Sequence, residues 1–454
     1  MNRTMIFLLL ALGAATANAT PINVVVLLAD DQRADTIGAL GNPHIDTPNL
    51  DRMVARGTAF SNAYIMGSRN GAVCMPSRAM LMTGRPLFAF DEMASPIPAE
   101  YPLLPEQFRK EGYDTFITGK WHQDYASMNR AFAGGARIFM AGMHDPFSVP
   151  LRPYDPTGAY PKEAIEVREG EHASALLADA AVTYLQGRSE AQPFFLYVSF
   201  TAPHDPRSAP KEYHERYAKK LPPLPENFLP EHPFDNGELK IRDELLAGFP
   251  RTEAEVRQHL AEYYASITHL DSQVGRMLDA LAASDAADNT LVVYSADNGL
   301  AIGSHGLMGK QSVYEHSVRV PLIMAGPGVP EGRKTEALVY LNDLSPTLLD
   351  WCGVAAERPP FAKSFAPVLR GEADSHRPFV TFAYKGEQRG IRQGDWKLLL
   401  CNARGARHVR LFNLNKDPAE LHDRSGDAAH AVERERLVAL LLAECKAQGD
   451  GFVW

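Results

Sequence analysis

Apolar positions along this chain keep two rhythms. From Ile22 to Leu28 the residues Ile-Asn-Val-Val-Val-Leu-Leu form a nearly continuous β-branched run, which predicts a strand buried on both faces of a parallel or mixed sheet. Thr115–Thr118, Phe194–Phe200 and Thr290–Ser295 read as further strands. Between them apolar residues return at helical spacing, at Ala173, Leu176, Leu177, Ala180, Ala181, Tyr184 and Leu185, and again at Val256, Leu260, Tyr263, Ile267, Leu270, Val274, Met277 and Leu281. Strand and helix thus alternate. The pattern predicts an α/β fold in which helices sandwich a large, mostly parallel mixed sheet.

Near Gly371 the rhythm changes. Phe379–Tyr384, Gly390–Arg392, Trp396–Leu400 and Leu411–Asn413 are short strand-like runs, followed by a helix with Val432, Leu437, Leu440, Leu441 and Cys445 on its apolar stripe. This predicts a smaller C-terminal antiparallel sheet with one helix, so the chain divides into residues 20–370 and 371–454. Ser345-Pro346 predicts a helix start, with Ser345 as cap and Pro346 first in the helix. The Pro-rich stretches Pro146–Pro161 and Pro203–Pro250 predict long excursions rimming a site, with Arg152, Arg207, His144 and Lys211 as possible contacts or plain surface residues.

Residues 1–19 change the picture of location. Arg3, an apolar run from Met5 through Leu12 and the small residues ending Ala17-Asn18-Ala19 predict a signal peptide cleaved before Thr20, and hence a periplasmic or secreted protein. No later stretch is apolar enough for a membrane span, and a net charge of −9 gives no basic field for nucleic acid or an acidic membrane. Attraction for an anionic substrate must then be local. With four cysteines, Cys74, Cys352, Cys401 and Cys445, this is no disulfide-stapled scaffold.

The predicted strands end in chemistry. The first runs into Asp30-Asp31, the second into Gly119-Lys120-Trp121-His122, the third into Pro203-His204-Asp205 and the fourth into Asp297-Asn298. Ligands bind beyond the carboxyl ends of strands in open α/β sheets, so these endings predict one site. Asp30, Asp31, Asp297 and Asn298 offer only oxygen, a donor set for Ca²⁺, with Mg²⁺ as the alternative.

The most specific stretch is Cys74-Met75-Pro76-Ser77-Arg78-Ala79-Met80-Leu81-Met82-Thr83-Gly84, which places Cys74 near a helix N-terminus where backbone N–H groups favour an oxyanion. It resembles the Cys-x-Pro-Ser-Arg-x4-Thr-Gly signature of the type I sulfatases. Gly119-Lys120-Trp121-His122, Pro203-His204, Asp297-Asn298 and Gly309-Lys310 also match that family, over roughly Asn23 to Asp423, although Asn298 stands where some members have histidine. Gly303-Ser304-His305-Gly306, Tyr314-Glu315 and Arg319-Val320-Pro321 look most like the iduronate, glucosamine and choline sulfatase branch.

The resemblance implies an alkaline-phosphatase-like fold, a calcium ion on Asp30, Asp31, residue 74, Asp297 and Asn298, and oxidation of Cys74 to formylglycine by a formylglycine-generating maturation enzyme. It also implies sulfate-ester hydrolysis, with Arg78, Lys120 and Lys310 on sulfate oxygens, His204 protonating the leaving oxygen and His122 taking a proton from residue 74. His305 is expected to touch substrate, and a sulfated carbohydrate is the expected partner. Two other readings compete: a phosphate or phosphonate monoester hydrolase of the same superfamily, and a glycan-binding protein whose Cys74 stays a thiol. A Ser-His-Asp hydrolase is weaker, since no Gly-x-Ser-x-Gly elbow occurs.

Overall fold

The computed structural model describes residues 20–454; the expected signal peptide lies outside the described residues. The Ile22 run becomes the strand Asn23–Ala29, buried along its whole length because it is central in an eight-stranded sheet. The spatial order is Arg333–Thr335, Thr58–Phe60, Leu322–Ala325, Thr290–Ala296, Asn23–Ala29, Phe194–Ser199, Asp114–Lys120 and Gly134–Phe139. Every pairing is parallel except those of Leu322–Ala325, which runs against both neighbours. Hydrophobic runs without polar alternation suit a sheet covered on both sides.

The covering helices fall into two groups that pack within themselves. Ala173–Gly187, Pro48–Ala55 and the 30-residue Glu253–Ala282 form one; Cys74–Thr83, Leu104–Lys110, Tyr125–Ala131 and Leu344–Trp351 form the other. Thr252 starts the long helix, its hydroxyl accepting from Glu255 N at 3.3 Å. The Leu344–Trp351 helix departs from expectation. It begins before Ser345, directly after a 3-10 turn at Leu341–Asp343, so Pro346 sits third in the helix and Ser345 caps nothing. The 3-10 turn has already ordered the chain there.

The C-terminal sheet has five strands in the order Ala406–Asn413, Trp396–Ala403, Gln388–Gln393, Val380–Tyr384 and Gly67–Ser68. Its first four are antiparallel neighbours, as the sequence predicts. The fifth comes from far upstream and pairs parallel to Val380–Tyr384, so the division at residue 370 is crossed by a strand six residues ahead of Cys74. The helix Ala431–Ala447 covers this sheet through Leu437, Leu441 and Cys445. Val432, predicted on the apolar stripe, instead faces solvent at 82 % exposure, because the helix has only begun at Ala431 and this first turn overhangs the sheet. All four cysteines are free thiols.

Candidate active site

The four strand endings converge at one edge of the large sheet. Asp30 N donates to Ala202 O at 3.0 Å and Asp297 N to Ala29 O at 3.1 Å, so the chain stays paired just beyond the strands and their acidic ends remain adjacent. Asp31 turns into the left-handed region at φ 69°, which aspartate tolerates better than most residues, and its N–H donates to Asp297 Oδ1 at 3.1 Å. Behind it, Tyr263 of the long helix donates its hydroxyl to Asp31 O at 2.6 Å and accepts from Arg33 N at 2.9 Å. A bulge between Thr118 and Gly119 breaks the register before Lys120. Gly119 has φ 97°, and a Cβ there would lie 1.9 Å from Ser199 O, so only glycine fits.

Cys74 is the first residue of the helix Cys74–Thr83, which ends at Gly84 in the left-handed conformation with its N–H on Met80 O at 2.8 Å. Its sulfur lies 3.4 Å from His122 Nδ1 and 3.7 Å from Lys120 Nζ. Burial raises the thiol pKa more than the lysines lower it, so Cys74 is a protonated thiol and a poor nucleophile as it stands. One helical turn on, Arg78 donates from Nε to Asp297 Oδ2 at 2.9 Å and from Nη1 to Lys120 O at 3.0 Å, and also reaches the Ser199 hydroxyl.

Charge in this pocket is densely paired. Lys120 Nζ donates to Asp30 Oδ2 at 2.5 Å and to Gly142 O at 2.6 Å. Lys310 Nζ donates to Asp31 Oδ1 at 2.5 Å, where Asn298 Nδ2 also donates at 2.8 Å. His204 Nε2 is 3.7 Å from Asp31 Oδ2. Burial works to raise all three carboxyls. Around Asp30 and Asp31 the neighbouring cations outweigh it and hold both below the ordinary range, whereas Asp297, repelled also by Asp30, is pushed up. His122 is driven strongly down by burial and then by Lys120, Arg78 and Lys310, so its ring is neutral.

These groups fit a hard cation. Ligand atoms of Asp30, Cys74 and Asp297 all lie within 4.8 Å of one another, as do those of Asp30, Asp31 and His204. Asp30 Oδ1 and Asn298 Oδ1 are buried without a hydrogen-bond partner, which leaves oxygen lone pairs for an ion.

Ten of the eleven residues expected at the site therefore come together. His305 does not: its ring stacks on Tyr314 at 4.1 Å between centroids, its Nε2 faces Glu420 O at 3.0 Å, and its carbonyl meets His232 Nδ1 at 2.8 Å. It is a wall residue packed toward the C-terminal segment, and a local motif does not show which way its side chain turns. Of the rim residues, Arg152 donates to Pro161 O at 2.6 Å and Lys211 pairs with Glu215 one turn on. His144 is exposed next to the Gly142 loop, and Arg207 is buried beside His259. Sequence reasoning missed Ser199, the Gly142 carbonyl and the charged triplet Arg242-Asp243-Glu244. The last of these reads as an ordinary surface run until the fold buries Asp243 and Glu244.

The chain is similar to known sulfatases. The family model described as "Sulfatase" matches residues 22–354, and one described as "N-sulphoglucosamine sulphohydrolase, C-terminal" matches 303–447. The chain is 25% identical to an N-acetylglucosamine-6-O-sulfatase of Bacteroides thetaiotaomicron, covering 92% of this chain and 85% of that one. A solved structure in complex with its substrate, D-glucosamine-2-N,6-O-disulfate, superposes with a TM-score of 0.80 at 23% identity over 95% of this chain and 99% of that one. The phosphonate monoester hydrolase of Agrobacterium radiobacter shares the fold at a TM-score of 0.74 and 22% identity, covering 94% and 96%. With the family match spanning most of the chain and the acidic, cationic and cysteine groups gathered at the strand ends, the protein belongs to the sulfatase family and is a sulfuric ester hydrolase.

Proposed function

We propose that this protein is a periplasmic or secreted sulfatase that removes sulfate from a sugar of a sulfated oligo- or polysaccharide. The observation that carries the reading is the position of residue 74, at a helix N-terminus, within reach of both Lys120 and His122 and beside the carboxylates of Asp30 and Asp297. Relatives named for glucosamine sulfates support the sugar, and residues 1–19 support export.

Oxidised to formylglycine by a maturation enzyme, residue 74 would supply a hydrated aldehyde as nucleophile, and a calcium ion on Asp30, Asp31, Asp297 and Asn298 would supply Lewis-acid polarisation. The chain's own residues do the rest. Lys120 and Lys310 flank the site with ammonium groups and Arg78 adds a guanidinium, so sulfate oxygens meet three cations in a place that water does not screen. His204, whose Nε2 lies 3.7 Å from Asp31 Oδ2, protonates the leaving oxygen from that nitrogen. His122 is neutral and its Nδ1 faces residue 74, so it accepts the proton that must leave there. The negative charge of a bound sulfate offsets the cations that depress His122, making it a better base when substrate is present.

The test is peptide mass spectrometry across residue 74 on protein made in a host competent for formylglycine, together with sulfate release from a panel of sulfated mono- and oligosaccharides. Aldehyde at residue 74 with sulfate release from one sugar is the expected result. Aldehyde with phosphonate or phosphate ester turnover and no sulfate release would favour the phosphohydrolase reading that the shared fold keeps open. An unmodified thiol would favour a glycan binder.

A further inference from the structure

The excursion between Pro203 and Pro250 folds back into the site through three consecutive charged residues. Arg242 grips Asp205, with Nη1 on Oδ2 and Nη2 on Oδ1 at 3.1 Å. Its Nε also donates to Asp243 Oδ1 at 3.0 Å. Asp243 Oδ2 accepts from Gln311 Nε2 at 2.7 Å, and Gln311 Oε1 accepts from Lys310 N at 2.9 Å. Glu244 accepts from the N–H groups of Met308 and Gly309, both at 2.9 Å. At the other end of the arc, His204 Nδ1 lies 2.8 Å from Asp205 O and 3.4 Å from Asp205 Oδ1. A continuous line of hydrogen bonds thus joins His204 to the backbone of Lys310, through residues with no role in the chemistry above.

Arg242 is about half exposed, which invites the reading that it binds an anionic group of the substrate. Its charge argues otherwise. Asp205 and Asp243 already take Nε, Nη1 and Nη2 of the guanidinium and offset its charge, so it offers little to an arriving anion. A bidentate arginine–carboxylate pair fixes geometry rather than merely charge. What it fixes here is Asp205, whose backbone carbonyl can only accept and therefore keeps a proton on Nδ1 of His204, so that Nε2 is the nitrogen that takes up the second proton and gives it to the leaving oxygen.

We propose that Arg242 is a positioning residue that, through Asp205, sets the tautomer and direction of His204, while Asp243 and Gln311 anchor it to the Lys310 loop. The inference rests on the assignment of His204 as the acid for the leaving oxygen. Proton donation matters for an alkyl oxygen and little for a nitrophenolate, which leaves without help. A role confined to folding would harm both esters alike.

The experiment compares wild type with Arg242→Ala, Arg242→Lys and His204→Ala on glucosamine 6-sulfate and on nitrophenyl sulfate. Arg242→Ala is expected to lower kcat on the sugar sulfate by about 10- to 100-fold and on nitrophenyl sulfate by less than about 3-fold, with partial rescue in Arg242→Lys. In the His204→Ala background, Arg242→Ala should cost less than about 2-fold more, since both act through one group. Equal losses on the two esters, or additive losses, would overturn the inference. A second readout needs no turnover and serves if Arg242→Ala folds poorly: ¹⁵N-histidine spectra of Arg242→Lys and Asp205→Asn, recorded at a pH where the ring is neutral, should show His204, assigned by its absence in His204→Ala, losing its Nδ1–H tautomer. An unchanged tautomer in both would overturn it. If His204→Ala itself depresses both esters equally, the acid assignment falls instead, and the spectra still decide the positioning.

Discussion

Lys120 Nζ lies 2.5 Å from Asp30 Oδ2 and 3.7 Å from Cys74 Sγ, with lysine and aspartate both fully buried. One ammonium therefore neutralises a carboxylate and faces residue 74. Removing it should cost both stability and turnover. For Lys120→Ala we expect a loss of about 3–5 kcal/mol in urea unfolding, the usual result of stranding a buried charge, together with loss of sulfate release. A variant that is inactive but as stable as wild type would show that Asp30 gains little from the pair.

Cys74→Ala should behave in the opposite way. It removes a small, neutral, buried thiol from the start of a helix, so stability should change by only about 1 kcal/mol while sulfate release falls to background. Activity retained in Cys74→Ala would end the formylglycine reading.

Calcium should stabilise as well as activate. Chelation with EGTA is expected to abolish turnover and lower Tm, and calcium at about 100 times its Kd should restore about 2.7 kcal/mol by linkage. In Asp297→Asn, which removes one of three clustered carboxylates, the calcium-dependent rise in Tm should shrink sharply. A full rise in that variant would place the ion elsewhere.

Buried histidines outside the site set a pH dependence of stability. Burial pushes His172 and His232 from 6.5 down to about 4. Their contribution is whole above pH 6.5, because both states are then neutral, and is lost as pH falls from 6.5 toward 4, where only the unfolded chain binds the protons. Tm should fall over that window, each histidine contributing on the order of 2–3 kcal/mol, and His232→Gln should flatten the fall. A Tm constant from pH 7 to 4 would contradict the assignment.

Gly119→Ala tests the bulge that precedes Lys120. With φ 97° and a Cβ 1.9 Å from Ser199 O, the variant must move the strand, and a loss exceeding about 3 kcal/mol is expected by thermal melts. Wild-type stability would show that the Phe194–Ser199 strand yields more easily than its central place suggests.

The sequence by itself determined the strands Asn23–Ala29, Phe194–Ser199 and Thr290–Ala296, the long helix to Ala282, the antiparallel C-terminal sheet and the ten residues that meet beyond the strand ends. These are legible because burial on two faces, helical periodicity and a contiguous motif are properties of neighbours in the chain. Only the tertiary structure decided that Gly67–Ser68 joins a sheet made more than 300 residues later, that His305 packs against Tyr314 instead of facing the site, and that Arg242-Asp243-Glu244 links His204 to Lys310. Two-residue strands and charged triplets have no period to read. Their partners are chosen by which backbone groups and charges the fold would otherwise leave buried and unpaired, and that is settled only when distant segments meet.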